Sequence, residues 1–271
     1  MPNFFITGTR LNENRCQLVE KVKFFTTPPR PYPYVLINAI RPKYAYLKYA
    51  QEVLIDSGVE IFRNPSVKDY PKGHINKIIK VYMKAKAITN NKPIHITVPD
   101  YPDDYHPKSL WLDDNKTNIE RTLDNVLKYT EQYKWIPWLI PIQGWNRNPK
   151  SVLRSIELYR EHGIIDKFDY FAIANLCVEP DTQLIYKTVA LARQKLPDKK
   201  LHVFGLKLNA LKLIYNLIDS FDSLAWTRPV DHKGHSCKTM QERIDYFERW
   251  LSRFENIAKN KGITIEVFFR H

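Results

Sequence analysis

Short apolar runs, each ended by a polar or turn residue, recur along this chain. Residues 35–39, 53–56, 95–98, 138–142, 170–174, 201–205 and 223–226 read as buried strands, because continuous apolar runs of this length suit a sheet covered on both faces. Between most of them the apolar positions recur at helical spacing, over 75–87, 118–133, 151–162, 182–196, 208–218 and 240–259. Thr117 and Glu120 stand at capping-box spacing, and Gly163 follows a helical segment as a C-cap glycine does. The proline-rich stretch 26–34 is unsuited to a helix or central strand and reads as an extended surface loop leading into the barrel. Residues 263–269 are strand-like and are expected to supply the eighth strand. Alternating strands and helices predict an α/β fold, a single (β/α)8 barrel of the TIM type over residues 1–271 with an N-terminal extension.

That architecture gives meaning to the polar residues that close the runs. Asp56, Asp100, Gln143 and Asp222 each lie at or just after an apolar segment, and in a barrel such ends open into one shared mouth. The irregular stretches 63–73, 101–116 and 229–238 also follow strand ends. Their Tyr, Trp, Lys and Arg suit nucleic acid, where aromatic faces stack on bases and cations hold phosphates.

A length of 271 residues and 44% hydrophobic content suit one large core, and no apolar run is long enough to cross a bilayer. Residues 1–7 lack the layout of a secretory signal, so an intracellular, cytoplasmic location is expected. Cys16, Cys177 and Cys237 are too few and too scattered for a disulfide framework or a four-cysteine zinc site. The net charge of +13 favours a polyanionic partner, although lysine-rich surfaces also serve solubility.

In order along the chain, Asp56-Ser57-Gly58, Asp100, Gln143-Gly144, Ala172-Ile173-Ala174-Asn175-Leu176-Cys177-Val178, His202-Val203-Phe204-Gly205-Leu206 and Phe221-Asp222-Ser223 with Thr227-Arg228 form a series of motifs. The series resembles the tRNA-guanine transglycosylase superfamily, most closely its small relatives that place 7-deazaguanines in DNA. The resemblance implies a glycosyltransferase in which Asp222 is the nucleophile and Asp56 the general acid and base. It assigns Asp100, Gln143, Gly144, Asn175, Leu176, Phe204 and Gly205 to the base site, and Lys207 and Arg228 to nucleic-acid contact. The partners it implies are DNA, with tRNA as the alternative, and a 7-deazaguanine precursor base, without membrane association and with a homodimer as one possible assembly. No organic cofactor is implied. Asn175 stands where the family has glycine, Phe204 replaces a methionine, and Glu60 or Phe62 lies near its first stacking aromatic. The family's zinc motif is absent, leaving His232, His235 and Cys237 as the only hint of a metal site and implying a reduced or missing zinc subdomain.

Residue by residue, plainer roles compete. An aspartate at a loop start also serves as a cap, turn or ion-pair residue, and Gln143 and Asn175 also read as satisfied loop amides. Phe204 and Cys177 suit core packing, and His106, His162 and His202 read as surface or packing residues. A retaining glycoside hydrolase on the same barrel, a minimal tRNA-guanine transglycosylase and a catalytically inactive nucleic-acid-binding barrel are the competing functions.

Overall fold

A computed structural model describes residues 22–103, 115–227 and 239–268, with side chains to residue 261. Eight parallel strands, β1 (Lys23–Phe25), β2 (Tyr34–Asn38), β3 (Glu52–Asp56), β4 (Ile94–Thr97), β5 (Trp138–Ile142), β6 (Tyr170–Ile173), β7 (Lys200–Val203) and β8 (Ser220–Asp222), follow the spatial order β1-β8-β7-β6-β5-β4-β3-β2. Hydrogen bonds from the Leu36 N–H to the Thr26 carbonyl (2.7 Å) and from the Thr26 N–H to the Tyr34 carbonyl (3.3 Å) bring the sheet's two ends together. The result is a nearly closed TIM-type barrel, jacketed by helices α1 (His74–Ile88), α2 (Asn118–Gln132), α3 (Val152–Glu161), α4 (Ile164–Lys167), α5 (Thr182–Lys195), α6 (Leu208–Ile214) and α7 (Met240–Phe268). The capping box forms as its spacing predicts, with the Thr117 hydroxyl accepting from the Glu120 N–H and the Glu120 carboxylate from the Thr117 N–H at 2.8 Å.

The eighth strand is not where the sequence pattern puts it. Residues 263–268 continue α7, and the eighth place in the barrel belongs to β1 at the other end of the described chain. The reason is pairing geometry: β1 lies between β8 and β2, leaving no strand edge for the C-terminal segment. Helix α7 instead covers the outside of β1 and β8, with Trp250 and Phe254 packed on Phe24 and Phe221. Phe247 of the same helix packs on Tyr32, so the proline-rich connection expected at the surface is largely buried, with Thr26, Pro28, Pro29, Tyr32 and Tyr34 all inside.

The last strand also lies earlier than its apolar run suggests. β8 ends at Asp222, and Ala225–Thr227 form a 3-10 turn. Trp226 is buried there by side-chain bonding, its indole N–H donating to the Thr26 hydroxyl (2.8 Å), which donates to the Ser223 carbonyl (2.9 Å). The helix expected over 208–218 likewise stops at Ile214 and tightens into a 3-10 turn at Tyr215–Leu217. Among the described residues no helix is long and apolar enough to cross a membrane.

Candidate active site

Side chains two apart on a strand share a face, so inward positions along one strand form a column that ends at the barrel mouth. On β3 the column is Glu52, Leu54 and Asp56, beside Tyr34, Leu36 and Asn38 on β2. On β8 it is Ser220 and Asp222, beside Phe25 on β1, while Phe221 between them points to α7. The C-terminal ends of these strands surround a cavity of about 700 Å³, whose walls include Asp56, Glu60, Asp100, Phe204, Gly205, Lys207 and Asp222. That volume falls in the range of roughly 300–1,000 Å³ typical of small-ligand sites.

Asp56 is held on both oxygens. The Asn38 amide donates to Oδ2 at 2.9 Å, and the Gly58 N–H reaches Oδ1 at 3.3 Å. The same Asn38 nitrogen donates to Glu60 at 2.6 Å, so one amide bridges two carboxylates. Its orientation is fixed, because Asn38 Oδ1 accepts from the backbone N–H groups of Ile40 (2.8 Å) and Arg41 (3.2 Å). Withdrawal from bulk water, then the negative charge of Glu60, pushes the Asp56 carboxyl up to about 8, with the Gly58 N–H pulling the other way. Asp56 therefore carries a proton at neutral pH.

Asp100 is buried deeper. Ser57 donates to its Oδ1 at 3.0 Å and the Gln143 amide to its Oδ2 at 2.5 Å, while the Tyr70 hydroxyl donates to its backbone carbonyl at 2.8 Å. Burial raises its carboxyl to about 7, opposed by the Ser57 and Gln143 hydrogen bonds. Gln143 is itself fully buried, with its backbone carbonyl taken by the Ser155 hydroxyl at 2.6 Å and its Oε1 without a hydrogen-bond partner among the described residues. It stands behind Asp100 rather than on the cavity surface.

Asp222 accepts two bonds on one oxygen. The Gly205 N–H reaches Oδ1 at 3.0 Å and His202 Nε2 reaches the same atom at 3.2 Å. Gly205 delivers its N–H from φ +64°, and a Cβ there would lie 2.9 Å from the Cys177 Cα, so glycine is required by both conformation and space.

Of the residues singled out by sequence, Asp56, Asp100, Asp222, Phe204, Gly205 and Lys207 meet at the cavity. Asn175 and Leu176 do not line it: both are buried behind Ala174 and Cys177, which do. Gly144 leaves room for Asn175, since a Cβ there would fall 2.6 Å from the Asn175 side-chain nitrogen. Of the two candidates near the first stacking position, Glu60 reaches the cavity, whereas Phe62 is buried against Tyr70 and Tyr101. Arg228, His232, His235 and Cys237 lie outside the described residues, and among those described no group of three or more His, Cys, Asp or Glu side chains is arranged to hold a metal.

Two participants escaped the sequence reading. Asn38 was legible only as the end of a strand, although it stands level with Asp56 across the β2–β3 pair. His202, read as a packing or surface residue, is fully buried and bonded to Asp222. The sequence signal was that a histidine inside a buried strand must satisfy two ring nitrogens, whereas its partners follow only from the register that sets it opposite Ser220. No protein-family model matches this chain, and neither does any curated protein compared with it.

Proposed function

We propose that the protein is a base-exchange transglycosylase that replaces guanine in DNA with a 7-deazaguanine. The observation that carries this reading is the convergence of Asp56 and Asp222, which end β3 and β8, and Asp100, just beyond β4, on one cavity of ligand size. Their order and neighbours match the motif series that resembles the guanine transglycosylases. Lys207, Arg63 and Arg253 on the walls of the same cavity offer cations to a phosphate backbone beside its four carboxyl groups.

In this reading the target nucleotide leaves its stack and its base enters beside Asp100, whose carboxylate accepts from a guanine's imino and amino N–H groups. Phe204 offers an aromatic face on the cavity wall. An Asp222 oxygen attacks C1′, so the C1′–O bond forms as the C1′–N9 bond breaks and guanine leaves with the electron pair. Asp56, protonated at neutral pH, gives the departing base its proton. The incoming 7-deazaguanine then attacks C1′ through its N9, the ester C1′–O bond returns its electrons to Asp222, and the N9 proton passes to Asp56. Gln143 orients Asp100 from behind.

The test is incubation of the protein with labelled 7-deazaguanine precursors and, separately, double-stranded DNA, single-stranded DNA and tRNA. Incorporation into DNA that is lost in Asp222→Ala and Asp222→Asn is the expected result. Incorporation into tRNA alone would transfer the same chemistry to the other nucleic acid, and no incorporation into any substrate would overturn the reading.

A further inference from the structure

The hydrogen bonds of Asp222 do not stop at His202. His202 Nδ1 lies 2.8 Å from the Ser220 hydroxyl, which lies 2.5 Å from the Tyr170 hydroxyl. All four residues are buried, on three adjacent strands, and the register sets His202 directly opposite Ser220. The imidazole is also held sideways, with the Phe204 ring 4.7 Å away and the Phe25 ring 6.0 Å away, both near edge-on. A rotamer change would have to displace two aromatic side chains as well as break two hydrogen bonds.

The chain has one polarity that gives every described proton a partner. Asp222 Oδ1 already accepts from the Gly205 N–H, and as an acceptor it is served by His202 presenting Nε2–H. Nδ1 is then a lone pair and accepts from Ser220, and Ser220 accepts from Tyr170. Burial holds the Tyr170 phenol well above its ordinary value, which keeps it a donor. The opposite polarity would leave the Tyr170 hydroxyl proton without an acceptor among the described residues.

Both donors to Asp222, the Gly205 N–H and His202 Nε2–H, fall on Oδ1, and among the described residues no hydrogen bond reaches Oδ2. We infer that Tyr170, Ser220 and His202 form a buried relay that fixes the Asp222 carboxylate by Oδ1 and leaves Oδ2 as the oxygen that reacts, with His202 the positioning residue of the site. This deepens the proposed function and rests on it for the identity of the reaction. A carboxylate anchored on one oxygen loses the freedom to rotate away from an in-line approach, and orientation of this kind is a rate term. As charge leaves the carboxylate on ester formation, the bonds to Oδ1 weaken. They therefore favour release of the ester in the second half-reaction as much as they organise the first.

Two measurements test this. Nitrogen-15 NMR of the wild-type histidine rings reads the tautomer directly: His202 is expected as the Nε2–H form, switching toward a tautomer mixture in Ser220→Ala. A wild-type Nδ1–H form, or a ring whose signals ignore Ser220→Ala, would overturn the relay whatever the protein's activity. The kinetic arm compares His202→Leu, which keeps the volume and removes the donor, with His202→Gln, whose amide nitrogen occupies the place of Nε2. In base exchange His202→Leu is expected to lower kcat by about 10–100-fold, the usual effect of losing an outer-shell orienting partner, with the base KM unchanged. His202→Gln should recover most of that loss. Equal kcat in wild type and a folded His202→Leu would overturn the positioning role. Absence of exchange in the wild type would fall on the proposed function instead, and the NMR result would still decide the bond to Asp222.

Discussion

Replacing Asp56 by Asn should make the protein more stable in mild alkali, because the wild-type residue is a buried acid that the fold prefers protonated. The folded protein holds this proton up to about 8, whereas the unfolded chain releases it near 3.8. Between those values the native state binds the extra proton, so the stabilisation it brings is complete below the unfolded value and is lost as pH rises toward the folded one. One proton corresponds to about 1.4 kcal/mol per pH unit, so from about pH 5 to about pH 7.5 Asp56 alone removes roughly 3 kcal/mol. Asp100, raised to about 7 by its own burial, adds a loss of the same sign that levels off sooner. Asn at position 56 keeps an acceptor for Asn38 or the Gly58 N–H and cannot ionise. Urea unfolding of wild type and Asp56→Asn across this interval is the assay. The wild-type curve should fall more steeply by about one proton, and the variant should be the more stable protein by about pH 7.5. Parallel pH dependences would refute a native-state proton on Asp56, and with it the ground for calling this residue the acid that releases the base.

Four further outcomes follow from particular contacts. Glu60→Gln removes the second cause of the raised Asp56 carboxyl, so carbon-13 NMR should find Asp56 titrating lower, and the alkaline limb of kcat/KM should move to lower pH with it. Gln143→Leu strips an amide donor from Asp100, so the Asp100 carboxyl should rise above about 7 and the affinity for a guanine-type base, read by calorimetry, should fall. Gly205→Ala forces a side chain into φ +64° against Cys177, and thermal unfolding should show a loss of about 1–3 kcal/mol together with impaired exchange. Thr117→Ala should cost about 1 kcal/mol of stability through the lost cap at α2 and leave the exchange rate unchanged.

The barrel was largely readable from the pattern, because parallel strands buried on both faces must be continuously apolar and their crossover helices must carry a 3.6-residue stripe. Six of the strands expected from that pattern overlap β2 to β7, the seventh lies just beyond β8, and the helices agree to within a few residues except the last, expected over 240–259 and continuing to Phe268. The eighth strand was misassigned because residues 263–269 have a strand's local composition, while occupancy of the last barrel position is settled by which segment reaches the open edge between β8 and β2. Local propensity carries no information about that competition. Asp56 and Asp100 were legible for a related reason, since a lone carboxylate after an apolar run has a definite location once the run is a barrel strand, whereas Asp222 preceded the run read as a strand and was singled out through its motif.

The sequence by itself determined the alternating elements and the carboxylates that end β3 and follow β4, since these depend on period and on neighbours in the chain. Only the tertiary structure decided what the site's carboxylates touch. Asn38 bridges Asp56 and Glu60, Gln143 backs Asp100 across 43 positions, and His202 meets Asp222 across the β7–β8 pair. Such contacts depend on strand register and on the curvature that closes the sheet. Those in turn come from the packing of the whole core, with no local signature at the residues they join.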